Sequence, residues 1–516
     1  MPSEGVAMKS PINVLFITSD QQRADCYGFE GRKVRTPHLD EMARHGTRFS
    51  ACITPNLVCQ PSRASILTGL LPLTHGVSDN GIDLPEATAA RGYAATLSAH
   101  GVHTALIGKA HFATSHTYAP TGTPECRASS ADYGADWSGP YMGYDHVELM
   151  LEGHNHFPPM EPPRGHHYER WYHASGRGEE LTRLYRQALP PLTDAHETWN
   201  SALPVAWHNS TWIGDRTIEY LRTHRDQPFC LWASFPDPHH PFDAPEPWCR
   251  LHDPEEVDLP EHRTLDLDRR PWWHRACLEG RPQMDNASLR AFREKSSRTP
   301  RQSDGQLRRL IANYYGMISL IDHQVGRIRI ALRDLGLDER TLIVYSTDHG
   351  DWLGDHGLLL KGPMPYEGVL RVGLLFEGPG VPAGKVVADP VSTLDLAQTF
   401  CDYAGTALPS DAHSRSLRPL IEQDDTSRDF ALSEWDLRPS RTGVELQLRT
   451  VRTQRHKLTL DLLSGAGEMY DLREDPHEMD NLFGDPARAA VQRELTDMIH
   501  SRPQDACAPL PQVGMA

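Results

Sequence analysis

Short, unbroken apolar runs alternate along the chain with segments of helical periodicity, the order expected of an α/β domain. Residues 13–20 form an apolar run that closes on Asp20, and residues 341–348 repeat the pattern and close on Asp348. Such runs predict central strands buried on both faces, each with a carboxylate at its C-terminal edge. Side by side, they would bring Asp20 and Asp348 together where open α/β sheets hold their ligands. Residues 104–108, 229–235 and 369–376 predict further strands, and helices are predicted near residues 36–45, 93–101, 211–221 and 393–404. From Leu307 to Leu332 apolar side chains recur at helical spacing, which predicts one long core helix ended by Gly336.

Two stretches break this rhythm. Residues 112–210 are rich in Gly, Pro, His and aromatics, and residues 244–304 are charged and Pro-rich around Trp272-Trp273. Both read as excursions over the ligand-binding face. His154, His156, His166, His167 and His173 fit no tight metal-ligand spacing, and a solvated or substrate-facing loop is the expectation. Beyond residue 425 the texture changes again. Residues 431–435, 445–453, 456–463 and 468–472 predict a meander of strands, and 487–500 a closing helix. The expected organisation is a main α/β domain over 1–424, a small α+β domain over 425–505 and a loose tail over 506–516, with no internal repeats.

Composition narrows the partners. With 52 Lys and Arg against 69 Asp and Glu, the net charge of −17 argues against nucleic acid or an anionic membrane. An anionic substrate would need a locally positive pocket. No apolar run approaches the roughly 18 residues of a membrane span, and residues 12–17 are too brief for a signal sequence. Nine Cys without paired spacing suit reduced thiols, so the expected location is the cytoplasm.

The chemistry gathers at a few points. Cys59 sits just before a helix-compatible run over 64–71, near a helix N-terminus where backbone N–H groups favour an anion, and Arg63 offers a planar fork for sulfate or phosphate oxygens. Asp20, Asp348 and His349 are hard donors suited to a divalent cation. Cys59-Gln60-Pro61-Ser62-Arg63 followed by Leu67-Thr68-Gly69 resembles the signature of the type I sulfatases. So do Asp348-His349-Gly350-Asp351 with Lys361, Gly108-Lys109-Ala110-His111, the loop Pro238-His239-His240-Pro241, and Met469-Tyr470-Asp471-Leu472 ahead of Asn481-Leu482. The resemblance covers most of the chain.

It implies an alkaline phosphatase-like fold: a large mixed β-sheet sandwiched by helices, with a smaller antiparallel-sheet domain at the C-terminal end. It also implies hydrolysis of a small-molecule sulfate ester, with Cys59 matured to formylglycine by a generating enzyme and its hydrate acting as nucleophile. The implied ligands of one divalent cation, Ca2+ or Mn2+, are Asp20, Gln21, residue 59, Asp348 and His349. Arg63, Lys109 and Lys361 would neutralise the sulfuryl oxygens, His111 would be the base that expels sulfate, and His239 the proton donor to the leaving group. Asn80, in a stretch that resembles choline sulfatases, would contact substrate. Gln21 stands where arylsulfatases with two acids carry the second. That departure resembles the choline sulfatase and phosphonate monoester hydrolase branches, and it keeps phosphonate or phosphate diester hydrolysis as the alternative. Related cytoplasmic members assemble, so a homo-oligomer is a further expectation.

Overall fold

The computed structural model describes residues 12–154, 157–296, 299–423 and 428–515. Residues 1–11, His156 and the expected boundary at 424/425 lie outside the described residues. Eight strands make the central sheet: β1 (Asn13–Ser19), β2 (Thr47–Phe49), β3 (His103–Gly108), β4 (His146–Leu149), β5 (Phe229–Ser234), β6 (Thr341–Thr347), β7 (Leu374–Glu377) and β8 (Lys385–Val387). Their order is β8-β2-β7-β6-β1-β5-β3-β4. The five strands from β6 to β4 run parallel, and β7 turns antiparallel against both β6 and β2.

Alternate residues of these strands feed two separate cores, which is why the runs are apolar throughout. Val14, Phe16, Leu106, Trp232 and Val344 pack on one face with helices Cys59–Thr68, Tyr93–Ala99 and Leu396–Tyr403. Leu15, Ile17, Ile107, Leu231 and Tyr345 pack on the other, with helices Pro37–His45, Asn209–Thr223 and Asp304–Asp334. The last is the long helix read from periodicity. It runs for 31 residues behind a reciprocal cap between Ser303 and Gln306. A four-stranded antiparallel meander, Phe430–Leu437 to Gly467–Asp471, and helix Ala489–His500 form the C-terminal part.

The register settles where the acids go. Ser19 pairs with Thr347, so Asp20 and Asp348 leave adjacent parallel strands side by side. Four local expectations are corrected. Residues 367–370 form a helical turn rather than the start of a strand: the chain wraps the loop after β6, with Gly350 N–H donating to Val369 O at 2.9 Å. The first excursion contains β4, whose four residues are too few to carry a pattern, and helices His167–Ala174 and Gly178–Tyr185. In the second, helix Trp272–Glu279 buries Trp273 against Trp435 and Tyr470 of the meander. The expected loose tail is docked, with Met515 only 1% exposed. Among the described residues, no helix is long and apolar enough to cross a membrane.

Asp322, buried on the long helix, accepts N–H bonds from His38 at 3.2 Å and Leu39 at 2.8 Å, closing the first turn of helix Pro37–His45 from outside. Asp322→Ala would strand those buried donors and should cost about 1–3 kcal/mol. Denaturant unfolding checks this. An unchanged midpoint would show that the amides find other partners.

Candidate active site

Cys59 is the first residue of the ten-residue helix Cys59–Thr68, entered through extended Val58 and ended by Gly69 in the left-handed conformation at φ 69°. Only glycine takes that backbone freely, and a Cβ there would lie 2.7 Å from Ser414 Cβ. Gln60 anchors the helix start. Its N–H donates to Asn80 Oδ1 at 3.1 Å, its Oε1 accepts from Gly81 N–H at 2.8 Å, and its Nε2 donates to Ile82 O at 2.7 Å. Asn80 is therefore first of all a side-chain cap, with its NH2 left as the end that can donate.

One helical turn on, the fully buried Arg63 joins the ends of four strands. Its guanidinium donates to Asp348 Oδ2 at 2.9 Å after β6 and to Asp20 Oδ2 at 3.2 Å after β1. It also reaches Ser234 Oγ at 2.8 Å on β5 and Lys109 O at 2.9 Å after β3. In this structure its fork faces the two acids, Ser234 and the main chain of Lys109, and Arg63 is not among the residues that line the cavity.

Lys109 Nζ lies 2.7 Å from Asp20 Oδ2. Burial would raise the Asp20 carboxyl, but Lys109, His239 and Arg63 outweigh it and hold Asp20 well below the usual carboxylate range. Cys59 Sγ lies 3.1 Å from His349 Nε2 and 3.6 Å from Asp20 Oδ1. Burial, with Asp20 beside it, pushes the thiol up to about 11. As a plain thiol, Cys59 is a poor nucleophile at neutral pH. One ligand atom from each of Asp20, Cys59, Asp348 and His349 lies within 4.8 Å of the others, all four residues being buried. His349 Nδ1–H donates to Gly350 O at 2.9 Å, leaving Nε2 free to face the cluster.

Gln21 is turned elsewhere. Its Nε2 donates to Asp351 Oδ2 at 2.6 Å and its Oε1 accepts from the Lys361 ammonium. Lys361 also approaches His239 Nε2 at 2.6 Å, while His239 Nδ1 lies 2.7 Å from His240 O. Burial and the Lys361 charge push the His239 imidazole well down, so Nδ1 carries the proton and Nε2 receives from Lys361. His111 is likewise pushed well down, by burial and then by Lys109, and its buried Nδ1 has no hydrogen-bond partner. Gln21 and His111 both hold left-handed backbone, at φ 67° and 57°, a strain typical of residues that a site must aim.

Cys59, Asn80, Lys109, His111, His239 and Lys361 line one cavity of about 360 Å³. Asp20, Arg63, Asp348 and His349 lie behind it. Sequence reasoning missed Glu125, whose carboxylate holds the N–H groups of His111, Phe112 and Ala113 and the Tyr141 hydroxyl, fixing the turn that carries Lys109 and His111. No pattern marks it, because all its partners but one are main chain. His154, one of the five histidines expected on a solvated or substrate-facing loop, lines the cavity with its ring 6.1 Å from that of His239. Three others of the five do separate work. His166 reaches Pro124 O at 2.7 Å, His167 accepts from Leu149 N–H at 3.1 Å, and His173 reaches Pro159 O at 3.1 Å.

The mixed sheet between helices, with a small antiparallel sheet beside it, is an α/β architecture of alkaline phosphatase-like fold. Phosphonate monoester hydrolase of Agrobacterium radiobacter superposes with a TM-score of 0.76 at 26% identity, over 95% of each chain. The Sulfatase family profile matches residues 12–406, and that of the N-sulphoglucosamine sulphohydrolase C-terminal region matches residues 354–505. The chain belongs to the sulfatase family and is a sulfuric ester hydrolase. An arylsulfatase from Clostridium perfringens (strain 13 / Type A) is 29% identical over 494 residues, covering 91% of this chain and 90% of its own. The multifunctional alkaline phosphatase superfamily protein PehA from Trinickia caryophylli is 29% identical over 508 residues, covering 93% of each.

Removing Arg63 tests the charge balance directly. Arg63→Ala should destabilise the metal-free protein by about 3–5 kcal/mol, the usual cost of stripping a partner from a buried ion pair. Arg63→Lys should recover only part of that loss, since an ammonium cannot make the forked contacts. Denaturant unfolding in EDTA is the measurement. Wild-type stability in the Ala variant would mean that the two carboxylates need no counter-ion.

Proposed function

We propose that the chain hydrolyses a small-molecule sulfate ester at residue 59, with Cys59 matured to formylglycine by a generating enzyme and one divalent cation held by Asp20, Asp348, His349 and residue 59. The observation that carries this reading is the four-residue cluster within 4.8 Å beneath the cavity. The Sγ of unmodified Cys59 stands in for the oxygen that the matured residue would present. Two carboxylates, an imidazole and that oxygen make a hard donor set suited to Ca2+, and Mn2+ fits the imidazole as well. When present, the cation would neutralise charge on the sulfuryl oxygens, and the hydrated aldehyde would supply the attacking oxygen.

The chain's own side chains do the rest. Arg63 holds the two carboxylates in place. Lys109 and Lys361 flank position 59 and would offset charge on the remaining sulfuryl oxygens. Lys361 donates to His239 Nε2, so a proton lies between the two side chains, both of which line the cavity. That pair would deliver it to the leaving alcohol oxygen. His111, which lines the same cavity, would accept a proton in the step that frees sulfate. The nine free thiols, eight of them buried, suit a reducing compartment such as the cytoplasm.

Two experiments test this reading. After co-production with a generating enzyme under oxygen, the peptide containing residue 59 should be about 18 Da lighter and should react with aldehyde probes. Sulfate release should vanish in Cys59→Ala, and full activity there would sink the proposal. Side-by-side kcat/KM values on aryl sulfate and phenyl phosphonate esters should favour the sulfate. The reverse order would move the chain to phosphonate hydrolysis.

The second concerns leaving groups. His239→Ala should slow esters of poor leaving groups by about 10² to 10⁴, whereas activated nitrophenyl esters need the proton least and should lose far less. A Brønsted series of aryl and alkyl sulfates measures it. Equal losses across the series would take the proton-donor role away from the Lys361–His239 pair.

A further inference from the structure

We infer that residues 506–515 hold Met515 in the wall of the active-site cavity and that Met515 is a specificity-determining residue for the carbon skeleton of the ester. The inference rests on the proposed sulfatase chemistry and adds to it which segment reads the substrate. The segment has no periodicity and is broken by Pro509 and Pro511, yet main-chain hydrogen bonds hold it along its length. Cys507 N–H donates to Leu73 O at 2.9 Å and Val513 N–H to Gly81 O at 2.8 Å. Tyr118 N–H donates to Val513 O at 2.9 Å, and Met515 N–H to His116 O at 3.0 Å. The segment thus clasps two loops that carry cavity residues, the one after helix Cys59–Thr68 and the one after His111. Arg438 reaches Leu510 O at 2.7 Å and Ser440 Oγ reaches Gln512 Oε1 at 2.7 Å, which ties the C-terminal part to the same clasp.

The fit is close rather than draped. A Cβ on Gly81 would lie 2.3 Å from Gly514 O, one on Gly514 2.2 Å from His116 O, and one on Gly76 2.6 Å from Leu510 Cδ1. Glycines stand where the segment crosses the loops because nothing larger would let the backbones approach.

At the end of the clasp Met515 lines the same cavity as Cys59. Its carbonyl accepts from the buried Arg293 guanidinium, and beside that cation its surroundings turn aromatic. The His116 and Phe157 ring centroids are 4.6 Å apart, and those of Phe157 and Phe292 5.6 Å apart, and all three rings line the cavity. Ammonium groups suit a sulfate, whereas an aromatic wall closed by a polarizable thioether suits an apolar ring on the alcohol. Met515 is the member of that wall supplied by the clasp.

The test compares single-ring and fused-ring aryl sulfates of matched leaving-group acidity, on fully matured enzyme. Met515→Ala should raise KM for the fused-ring ester about 10-fold, the scale on which apolar pockets discriminate, with kcat unchanged and the single-ring ester little affected. Met515→Leu should restore the contrast, and deletion of residues 506–516 should abolish it. Calorimetric binding of naphthalenesulfonate against benzenesulfonate gives the same comparison without turnover. Equal effects on both ring sizes, a loss confined to kcat, or no effect would each overturn the inference. A binding contrast that depends on Met515, in a wild-type protein that turns over no sulfate ester, would uphold it and overturn the sulfatase reading instead.

Discussion

Two ionised carboxylates buried on neighbouring parallel strands repel each other unless cations lie beside them. Here Lys109 counters Asp20, and the cation that reaches both acids is Arg63. It reaches Asp20 and Asp348 from the second turn of the helix that begins at Cys59, and its remaining donors go to Ser234 and to the main chain of Lys109. The helix, the four strand ends and the loop after β3 are therefore located by one planar group. A Lys could offset the charge there. It could not satisfy four acceptors in fixed directions.

The same constraint reconciles an acidic chain with an anionic substrate. The protein carries a net charge of −17, yet its cavity is faced by Lys109 and Lys361 while the two acids lie behind, already countered by Arg63 and Lys109. At close range an approaching sulfate meets ammonium groups in a partly desolvated pocket, where their charge counts for more than the distant, screened surface carboxylates. Repulsion by the whole protein sets a modest toll on approach. It does not decide what binds at the floor.

Much of this was legible in the sequence because the sheet is buried on both faces. Strands such as Asn13–Ser19 and Thr341–Thr347 must then be apolar along their middle, so a terminal acid stands out against them. The long helix was legible for the same reason, since Leu310, Ile321 and Ile328 must all face a core. Other parts gave no signal. His146–Leu149 is too short to show a period. Glu125 works through main-chain N–H groups, which any sequence possesses. Val369 and Leu370 are apolar enough to open a strand, but the bond from Gly350 N–H to Val369 O goes with a helical turn there. The contacts of Arg63 gave no signal either, because a sequence places a cation near a site without showing which acids it reaches.

These successes and failures divide along a physical line. The sulfate-facing half of the cavity is built from strand ends and one helix start, whose positions follow from a register that no side chain can change without breaking the sheet. The alcohol-facing half is built from the excursions and from residues 506–515, held largely by main-chain bonds that tolerate many side chains. Chemistry common to a family belongs on the first half, where a shift of one residue would separate Asp20 from Asp348. Selectivity belongs on the second, where Met515 or Phe292 can be exchanged without moving a strand. A reading from sequence alone therefore reaches the reaction before it reaches the substrate.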